Sequence, residues 1–186
     1  MDFTALFITA IVIFFIYFNF KNSFLNITYV KSTIDGRSYL VRNRDDKQKA
    51  ADTLAMLNKK LLQLIDYLVK KDGNNVDIKR LKRNFDPDNI SESTQYSKYT
   101  SYSVNKGEKI YICLRNQNNI VDINTLFFVM MHELAHVMTN NWGHNKIFWD
   151  NFKFLIDNAV EFKLYKFVNY NKNPVKYCGI KIDSNP

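Results

Sequence analysis

The chain begins with a nearly unbroken run of apolar residues from Phe3 to Phe18, which polar residues bound on both sides. A helix needs about 20 apolar residues to cross the hydrocarbon core of a bilayer, and this run, counted to Phe20, is short but adequate for a thin one. A cleaved signal peptide would start with basic residues and end with small ones, and the run does neither. A buried core helix is disfavoured by the terminal position and the lack of a polar face. The pattern therefore predicts one membrane-spanning helix.

Basic residues flank the apolar run only on its C-terminal side: Lys21, Lys31, Arg37, Arg42 and Arg44. The positive-inside rule places that side in the cytoplasm. The two cysteines, Cys113 and Cys178, are too few for a disulfide framework; a reducing compartment is the simpler interpretation, and a single bridge is the alternative. Both observations predict a single-pass membrane protein whose C-terminal domain lies in the cytosol.

Periodic apolar positions in the rest of the chain predict helices joined to a few short strands. An amphipathic helix is predicted from Lys47 to Lys71 and a shorter one from Val76 to Asn84. The apolar stripe of the longer helix consists of Ala50, Leu54, Leu57, Leu61, Leu64, Ile65 and Leu68. The segments Phe24–Val30 and Ser38–Val41 are predicted as short strands or extended linker.

Turn and capping residues mark the ends of the predicted strands and helices in the second half of the chain. The sequence Asn105-Lys106-Gly107-Glu108 separates the β-prone runs Tyr99–Val104 and Lys109–Leu114, which predicts a β-hairpin. Two long helices are predicted after it, one from a cap at Asp122 or Asn124 to about Asn140, and one from Asn145 to about Val168. Helices and short strands together indicate an α+β fold.

His132, Glu133 and His136 form a His-Glu-x-x-His motif within the first of these helices. Residues four apart share one face of a helix, so both imidazoles can reach one metal ion. Glu133 is rotated to a position beside that ion, where its carboxylate can accept a proton from a water molecule. The motif therefore predicts a zinc site with Glu133 as the general base.

The third metal ligand is predicted from the sequence that follows the motif. Zinc in a catalytic site takes three protein ligands and keeps its fourth position for water. His144 is the natural third ligand, because it follows Gly143, where the chain must turn back. Glu161 on the next helix is the rival, since a glutamate completes another type of His-Glu-x-x-His site. The spacing and the Gly-His turn favour His144.

The surroundings of the motif favour a metal site over histidines that are merely satisfied by Glu133 in the core. The chain has three histidines, and all lie between residues 132 and 144. The helix is apolar on every side, which is typical of a buried helix: Leu126, Phe127, Phe128, Val129, Met130, Met131, Leu134, Ala135 and Val137. Burying two histidines and a glutamate there without partners would be costly, and a bound cation removes that cost.

Four parts of the chain carry a family resemblance: Tyr111-Ile-Cys-Leu-Arg115, Asp122, Leu126–His136 and Gly143-His144-x-x-x-Phe148-Trp149. They resemble the WLM and SprT-like families of minimal zincin peptidases, over about Lys109 to Phe154. The layout also resembles membrane-anchored metallopeptidases of large DNA viruses, so the predicted membrane is a cellular or a virion membrane. The resemblance implies a minimal zincin-like domain, in which a small antiparallel sheet packs on helices. The predicted organisation is a transmembrane anchor over residues 1–22, a linker over 23–45, the zincin-like domain over 46–173 and a tail over 174–186.

The resemblance also implies a mechanism for cleaving proteins or peptides. Zinc held by His132, His136 and His144 would activate water, and Glu133 would move the proton. The predicted strand Lys109–Leu114 would present an edge to which an extended peptide adds. An oxyanion stabiliser is expected among three tyrosines: Tyr165, Tyr170 and Tyr177. Free Cys178 is predicted as a small buried apolar residue, with a role as an inhibitory fourth zinc ligand as the alternative.

The formal net charge of +8 adds nucleic acid as a candidate partner. The basic residues cluster at Lys79, Arg80, Lys82 and Arg83, a pattern typical of a solvated helix face and alternatively of a phosphate-binding patch. A structural function is the other alternative to a peptidase. In that interpretation the chain is a membrane-tethered, virion-associated protein whose non-catalytic zinc site stabilises the fold.

Overall fold

The computed structural model describes residues 3–186, except for the side chains of residue 5 and residues 19–25. Helix α1 (Phe3–Leu25) contains the apolar run. Among the residues that the structure describes, no helix is both long and apolar enough to cross a membrane, so the prediction of a spanning helix from Phe3 to Phe18 is not supported.

The core is built around the amphipathic helix α2 (Lys47–Asp72). Every residue of its predicted apolar stripe is buried, which confirms the prediction. The hairpin of strands β1 (Ile27–Lys31) and β2 (Ser38–Arg42) packs against this helix. Asp52 of α2 accepts hydrogen bonds from the Ser32 hydroxyl and the Thr33 backbone, both at 2.8 Å, and so ties the hairpin turn to the helix.

A three-stranded sheet follows helix α3 (Val76–Asn84) and a short 3₁₀ turn. Its strands are β3 (Ile90–Glu92), β4 (Tyr102–Val104) and β5 (Lys109–Ile112), in the order β3-β5-β4. Strands β4 and β5 form the predicted hairpin, but β3 pairs with β5 in parallel. The prediction of an antiparallel sheet is therefore wrong for the pair β3–β5. The chain leaves β3, forms β4 at the far side of the sheet, and returns as β5 between the two, so β5 runs parallel to β3.

Helix α4 (Ile123–Met138) follows the two-residue strands β6 (Arg115–Asn116) and β7 (Asn119–Ile120), and helix α5 (Lys146–Glu161) follows a loop. Helix α5 ends well before the predicted Val168. Lys163 adopts a left-handed φ of 58°, and the backbone N–H groups of Leu164 and Tyr165 both donate to the carbonyl of Ala159. This turn directs the Tyr165 side chain into the core, where it is 3% exposed.

The C-terminal residues, predicted as a tail, form a hairpin of strands β8 (Val175–Tyr177) and β9 (Ile180–Ile182). A disulfide joins Cys178 in its turn to Cys113, which follows β5. The prediction that Cys178 is a free cysteine or a fourth zinc ligand is therefore wrong, and the alternative of a single bridge is confirmed. Asn116 strengthens the attachment, since its side chain donates to the Lys176 carbonyl (2.6 Å) and accepts from the Cys178 backbone N–H.

A buried ionic network ties the sheet to Asp46, the residue that precedes α2. The Arg115 side chain is fully buried and donates to Glu92, which is also buried, and to both carboxylate oxygens of Asp46. The backbone N–H of Arg42 donates to the second oxygen of Glu92 at 2.8 Å. Glu92 thus joins β3 to β2 and to Arg115, and Arg115 extends the network to Asp46.

We expect Arg115→Ala to destabilise the protein by about 3–5 kcal/mol, because it leaves the Glu92 carboxylate buried without its main cationic partner. The free energy of unfolding from urea denaturation measures this loss. Lys82→Ala is the matched control, since the Lys82–Asp66 pair lies at the surface and such pairs contribute at most about 1 kcal/mol. Equal stability of the two variants would contradict the role assigned to Arg115.

Candidate metal centre

Helix α4 holds His132 and His136 in fixed positions on one of its faces. The side chain of Asp122 caps the helix by accepting a hydrogen bond from the backbone N–H of Thr125 at 3.0 Å. Asp122 is one of the two residues predicted as the cap. The buried Phe148 of α5 lies against both imidazoles, with ring centroids 4.9 Å from His132 and 4.4 Å from His136. The rings are therefore held by the packing of the two helices.

The third histidine, His144, joins this pair from the loop between α4 and α5. One imidazole nitrogen from each of the three residues can be chosen so that all lie within 4.8 Å of one another. The Nε2 atoms of His144 and His132 are 3.1 Å apart, and Phe148 also contacts the His144 ring, with centroids at 4.6 Å. The structure thus brings together the three residues that the sequence predicted as ligands.

The geometry and chemistry of this cluster fit a zinc ion. Zn–N bonds of about 2.0–2.1 Å in a tetrahedron place two ligand nitrogens about 3.3 Å apart, close to the distance between His132 and His144. Burial, assisted by the neighbouring imidazoles, lowers the pKa of His132 to about 3 and that of His136 to about 4. Both rings are therefore neutral at physiological pH, which is the state in which imidazole binds a metal.

The loop that carries His144 is held by two basic residues. The Lys106 ammonium donates to the backbone carbonyls of Thr139 (2.9 Å) and Asn141 (2.5 Å), and it lies over the Trp142 ring at 4.7 Å from the centroid. The Arg80 guanidinium donates to the carbonyl of Met138 at 2.7 Å. These cations satisfy carbonyls at and just beyond the C-terminus of α4, where helical hydrogen bonding ends.

Glu133 lies beside the histidines, nearly enclosed, with 3% of its surface exposed. Burial raises the pKa of its carboxyl group to about 8, and a backbone hydrogen bond at Ser103 offsets part of that rise. Its Oε2 atom has no hydrogen-bond partner among the described residues. A buried carboxylate oxygen is costly to leave unpaired, so this atom is suited to a water molecule or cation in the adjoining space.

Two openings adjoin Glu133 and His132. The first, here called the metal cleft, contains all three histidines and is lined on its other side by the hairpin β4–β5 and its approach: Tyr99, Ser101, Tyr102, Ser103 and Lys106. The second, here called the apolar cavity, lies between α4, α5 and the hairpin β8–β9. Glu133 therefore faces both spaces.

The rival ligand Glu161 lies outside the cluster. Its carboxylate is exposed at the C-terminal end of α5 and pairs with the Lys71 ammonium at 2.5 Å. Hydrogen bonding to Lys71 lowers the pKa of Glu161, which is the behaviour of an ordinary surface ion pair. The position of Glu161 thus agrees with the preference for His144.

The three candidate tyrosines lie in different places. Tyr177 lines the apolar cavity together with Glu133, and its hydroxyl contacts the Cys113 carbonyl (2.8 Å) and the Ser101 Oγ (2.7 Å). The rings of Tyr165 and Tyr170 pack against Phe128, with centroids 6.3 Å and 4.7 Å away. Tyr177 is thus the candidate that belongs to the site, but its hydroxyl is already engaged.

The predicted basic cluster does not support a nucleic-acid partner. Arg80 pairs with Asp77 and with the helix end described above, Lys82 pairs with Asp66, and the Arg83 side chain donates to Asn84. These contacts are typical of side chains on a helix surface and of side chains that cap a helix end.

Residues of the hairpin β4–β5 were missed in the sequence-based selection of site residues. Ser101, Ser103 and Lys106 reach the site only because the hairpin lies across α4. The signal in the sequence was the glycine of the predicted turn. In the structure Asn105, Lys106 and Gly107 all adopt positive φ, and a Cβ at residue 107 would approach the Asn84 carbonyl oxygen to 2.6 Å. A glycine is required there, which marks close packing of the turn on the core.

Comparison with known proteins finds a matching family, similar viral proteins and a similar solved structure. The WLM domain model matches residues 34–182. The uncharacterized protein R325 of Acanthamoeba polyphaga mimivirus is 37% identical over 175 residues, or 90% of this chain and 88% of that protein. The uncharacterized protein 136R of Invertebrate iridescent virus 6 is 38% identical over 69 residues, or 35% of this chain and 38% of that protein. The crystal structure of Wss1 from Saccharomyces cerevisiae is similar with a TM-score of 0.47 and 21% identity, covering 67% of this chain and 87% of that one.

Proposed function

Because the chain belongs to the WLM domain family, a family of metal-dependent proteases, we propose that it is a zinc-dependent peptidase that cleaves protein substrates. The observation that carries the proposal is the convergence of three histidines beside a buried glutamate with an unpaired oxygen. His132, His136 and His144 would hold the zinc ion. Glu133 would be the general base.

The catalytic part of the proposal rests on the position of Glu133. Zinc, when bound, supplies a Lewis acid that polarises a carbonyl group and lowers the pKa of a water molecule towards about 7. A zinc ion at the histidines would favour the ionised form of the nearby Glu133 carboxyl group in spite of its burial. Glu133 then accepts the proton of the attacking water and delivers it to the nitrogen of the leaving group. Its enclosure by β4 and α4 keeps bulk water from competing for the carboxylate, and Phe148 keeps the histidine rings oriented during the reaction.

The edge strand for substrate binding is β4, which corrects the expectation that Lys109–Leu114 provides it. Strand β5, within that range, has neighbours on both sides, whereas β4 lies at the side of the sheet next to the metal cleft. An extended peptide can add to such an edge through main-chain hydrogen bonds. The contact of Ser103 with Glu133 places the middle of this edge next to the proposed general base.

The alternative of a purely structural zinc site requires a closed set of four ligands. Among the described residues the cluster consists of three histidines, and Cys178, considered as a fourth ligand, is joined to Cys113. His144 is exposed, so the cluster is open to substrate on its solvent side. These observations favour the catalytic proposal.

Removal of the metal tests the proposal directly. We expect the purified protein to cleave an unfolded protein such as casein, to lose this cleavage to background after treatment with a chelator, and to regain it with one equivalent of zinc. Circular dichroism serves as the control, because an apo form that keeps its fold separates loss of catalysis from loss of structure. Cleavage that persists without metal would contradict the proposal, and unfolding without metal in a protein that never cleaves would favour the structural alternative.

A further inference from the structure

The apolar cavity next to Glu133 has walls of a different character from the metal cleft. Helices α4 and α5 contribute Phe128, Val129 and Phe152, which are at most 8% exposed, and the hairpin β8–β9 contributes Ile180 and Ile182. The polar residues Lys181, Asp183 and Ser184 also line it. The cavity therefore offers an apolar interior to any group that enters beside the catalytic glutamate.

The size of the cavity limits what can enter it. Its volume is about 250 Å³, below the roughly 300–1,000 Å³ of pockets that enclose a whole drug-sized ligand. That space suits one large side chain. Lys181 and Asp183, the charged residues that the hairpin contributes to the lining, pair with each other at 3.8 Å. A charged substrate side chain that entered the cavity would therefore lose its hydration without gaining an unoccupied partner from this hairpin.

The wall formed by the C-terminal hairpin is held in place by several contacts. The disulfide and the Asn116 hydrogen bonds fix its turn, and the Tyr177 hydroxyl binds the Cys113 carbonyl. Beyond the hairpin, Asn185 accepts from the Tyr170 backbone N–H (2.8 Å) and donates to the Val168 carbonyl (3.0 Å). The cavity is therefore formed before a ligand arrives, which lowers the entropic cost of binding.

The location of the cavity connects it to a bound peptide. Successive side chains of an extended chain point to opposite faces, so a peptide added along β4 directs alternate side chains towards α4. His132 and Glu133 line both the metal cleft and the apolar cavity. The substrate side chain next to the peptide bond that is cleaved beside Glu133 thus lies at the entrance of the cavity.

We propose that the apolar cavity is a specificity subsite that accepts a large apolar side chain, such as Leu or Phe, from the substrate residue adjacent to the cleaved bond. This inference rests on the proposed peptidase function and names the feature of the substrate that the site selects. Ile180 is the specificity-determining residue best placed for a test, because it lines the cavity and is 50% exposed, so its replacement leaves the packed core intact.

The test uses the zinc-loaded full chain and a series of peptides that differ only at the residue adjacent to the cleaved bond. We expect kcat/KM for Leu or Phe to exceed that for Asp by at least about tenfold, in line with the selectivity of apolar pockets. Ile180→Asp should reduce that preference to near unity. Ile34→Asp is the matched control, since Ile34 is similarly exposed (45%) in the turn between β1 and β2 and should leave the preference unchanged. An unchanged preference in Ile180→Asp, with an unchanged melting temperature, would overturn the assignment.

A binding measurement separates failure of this inference from failure of the proposed function. Fluorescence anisotropy of labelled peptides on the Glu133→Gln protein reports affinity without cleavage. A Leu-over-Asp preference in binding, in a chain whose parent form cleaves nothing, would support the subsite and refute the peptidase. Equal affinity for all peptides would refute the subsite, whether or not the parent form cleaves them.

Discussion

Replacing Glu133 by Gln is expected to remove peptide cleavage while leaving zinc binding and folding intact. The substitution keeps the size and shape of the side chain but removes its ability to accept a proton. Loss of a general base typically lowers kcat by about 10²- to 10⁴-fold. A neutral amide also suits a position that is 3% exposed, so stability should not fall. Steady-state cleavage rates, with zinc content measured by atomic emission on the same samples, check both parts.

Glu161→Gln is the matched control for this experiment, since it makes the same chemical change at an exposed position on α5. It should retain the parent rate, because Glu161 contacts Lys71 and lies outside the histidine cluster. Equal rates in Glu133→Gln and the parent would refute the role of Glu133. Loss of zinc from Glu133→Gln would instead indicate that this carboxylate helps to hold the metal.

Replacing His144 by Ala is expected to lower zinc affinity by more than about 100-fold. Loss of a group that merely supports a metal ligand typically costs 10- to 100-fold in affinity, and His144 is placed to be a ligand itself. Its Nε2 lies 3.1 Å from that of His132, and an alanine leaves two protein ligands where a zinc site of this kind needs three. Competition with a fluorescent zinc chelator measures the affinity.

Glu161→Ala provides the comparison for His144→Ala, because these two residues were the rival third ligands. We expect Glu161→Ala to bind zinc as the parent does. The opposite pattern, with affinity lost in Glu161→Ala and kept in His144→Ala, would assign the protein to the glutamate-liganded type of site. Because His144 is exposed on a loop, its replacement should change the free energy of unfolding of the metal-free protein only slightly.

The elements with strong local signals could be predicted from the sequence. The stripe of α2 repeats every three to four residues and is buried as expected, and α3 has the predicted bounds Val76–Asn84. The histidine cluster was also predictable, since His132 and His136 are one helical turn apart and Gly143 adopts the positive φ of 79° that the predicted turn requires. Short-range spacing sets each of these features.

The features that depend on distant parts of the chain could not be predicted in this way. The parallel pairing of β3 with β5 and the bond between Cys113 and Cys178 join segments whose separation in sequence carries no local pattern. The early end of α5 depends on the burial of Tyr165, which is a matter of packing in the complete core. The apolar cavity was missed for the same reason, because its walls come from helices and from a segment that appeared to be a tail.

The disulfide has a consequence for the unfolded chain as well as for the folded one. The bond between Cys113 and Cys178 closes a covalent ring with a sequence separation of 65, and His132, His136 and His144 all lie inside it. In the chain-entropy model, closure of a ring of this size raises the free energy of the unfolded state by about 4 kcal/mol. Helix α2 lies outside the ring, so the restriction falls on the part of the chain that carries the three histidines. Even an unfolded molecule therefore keeps the C-terminal hairpin segment joined to the end of the β5 segment, which shortens the search by which these distant parts of the chain find one another again.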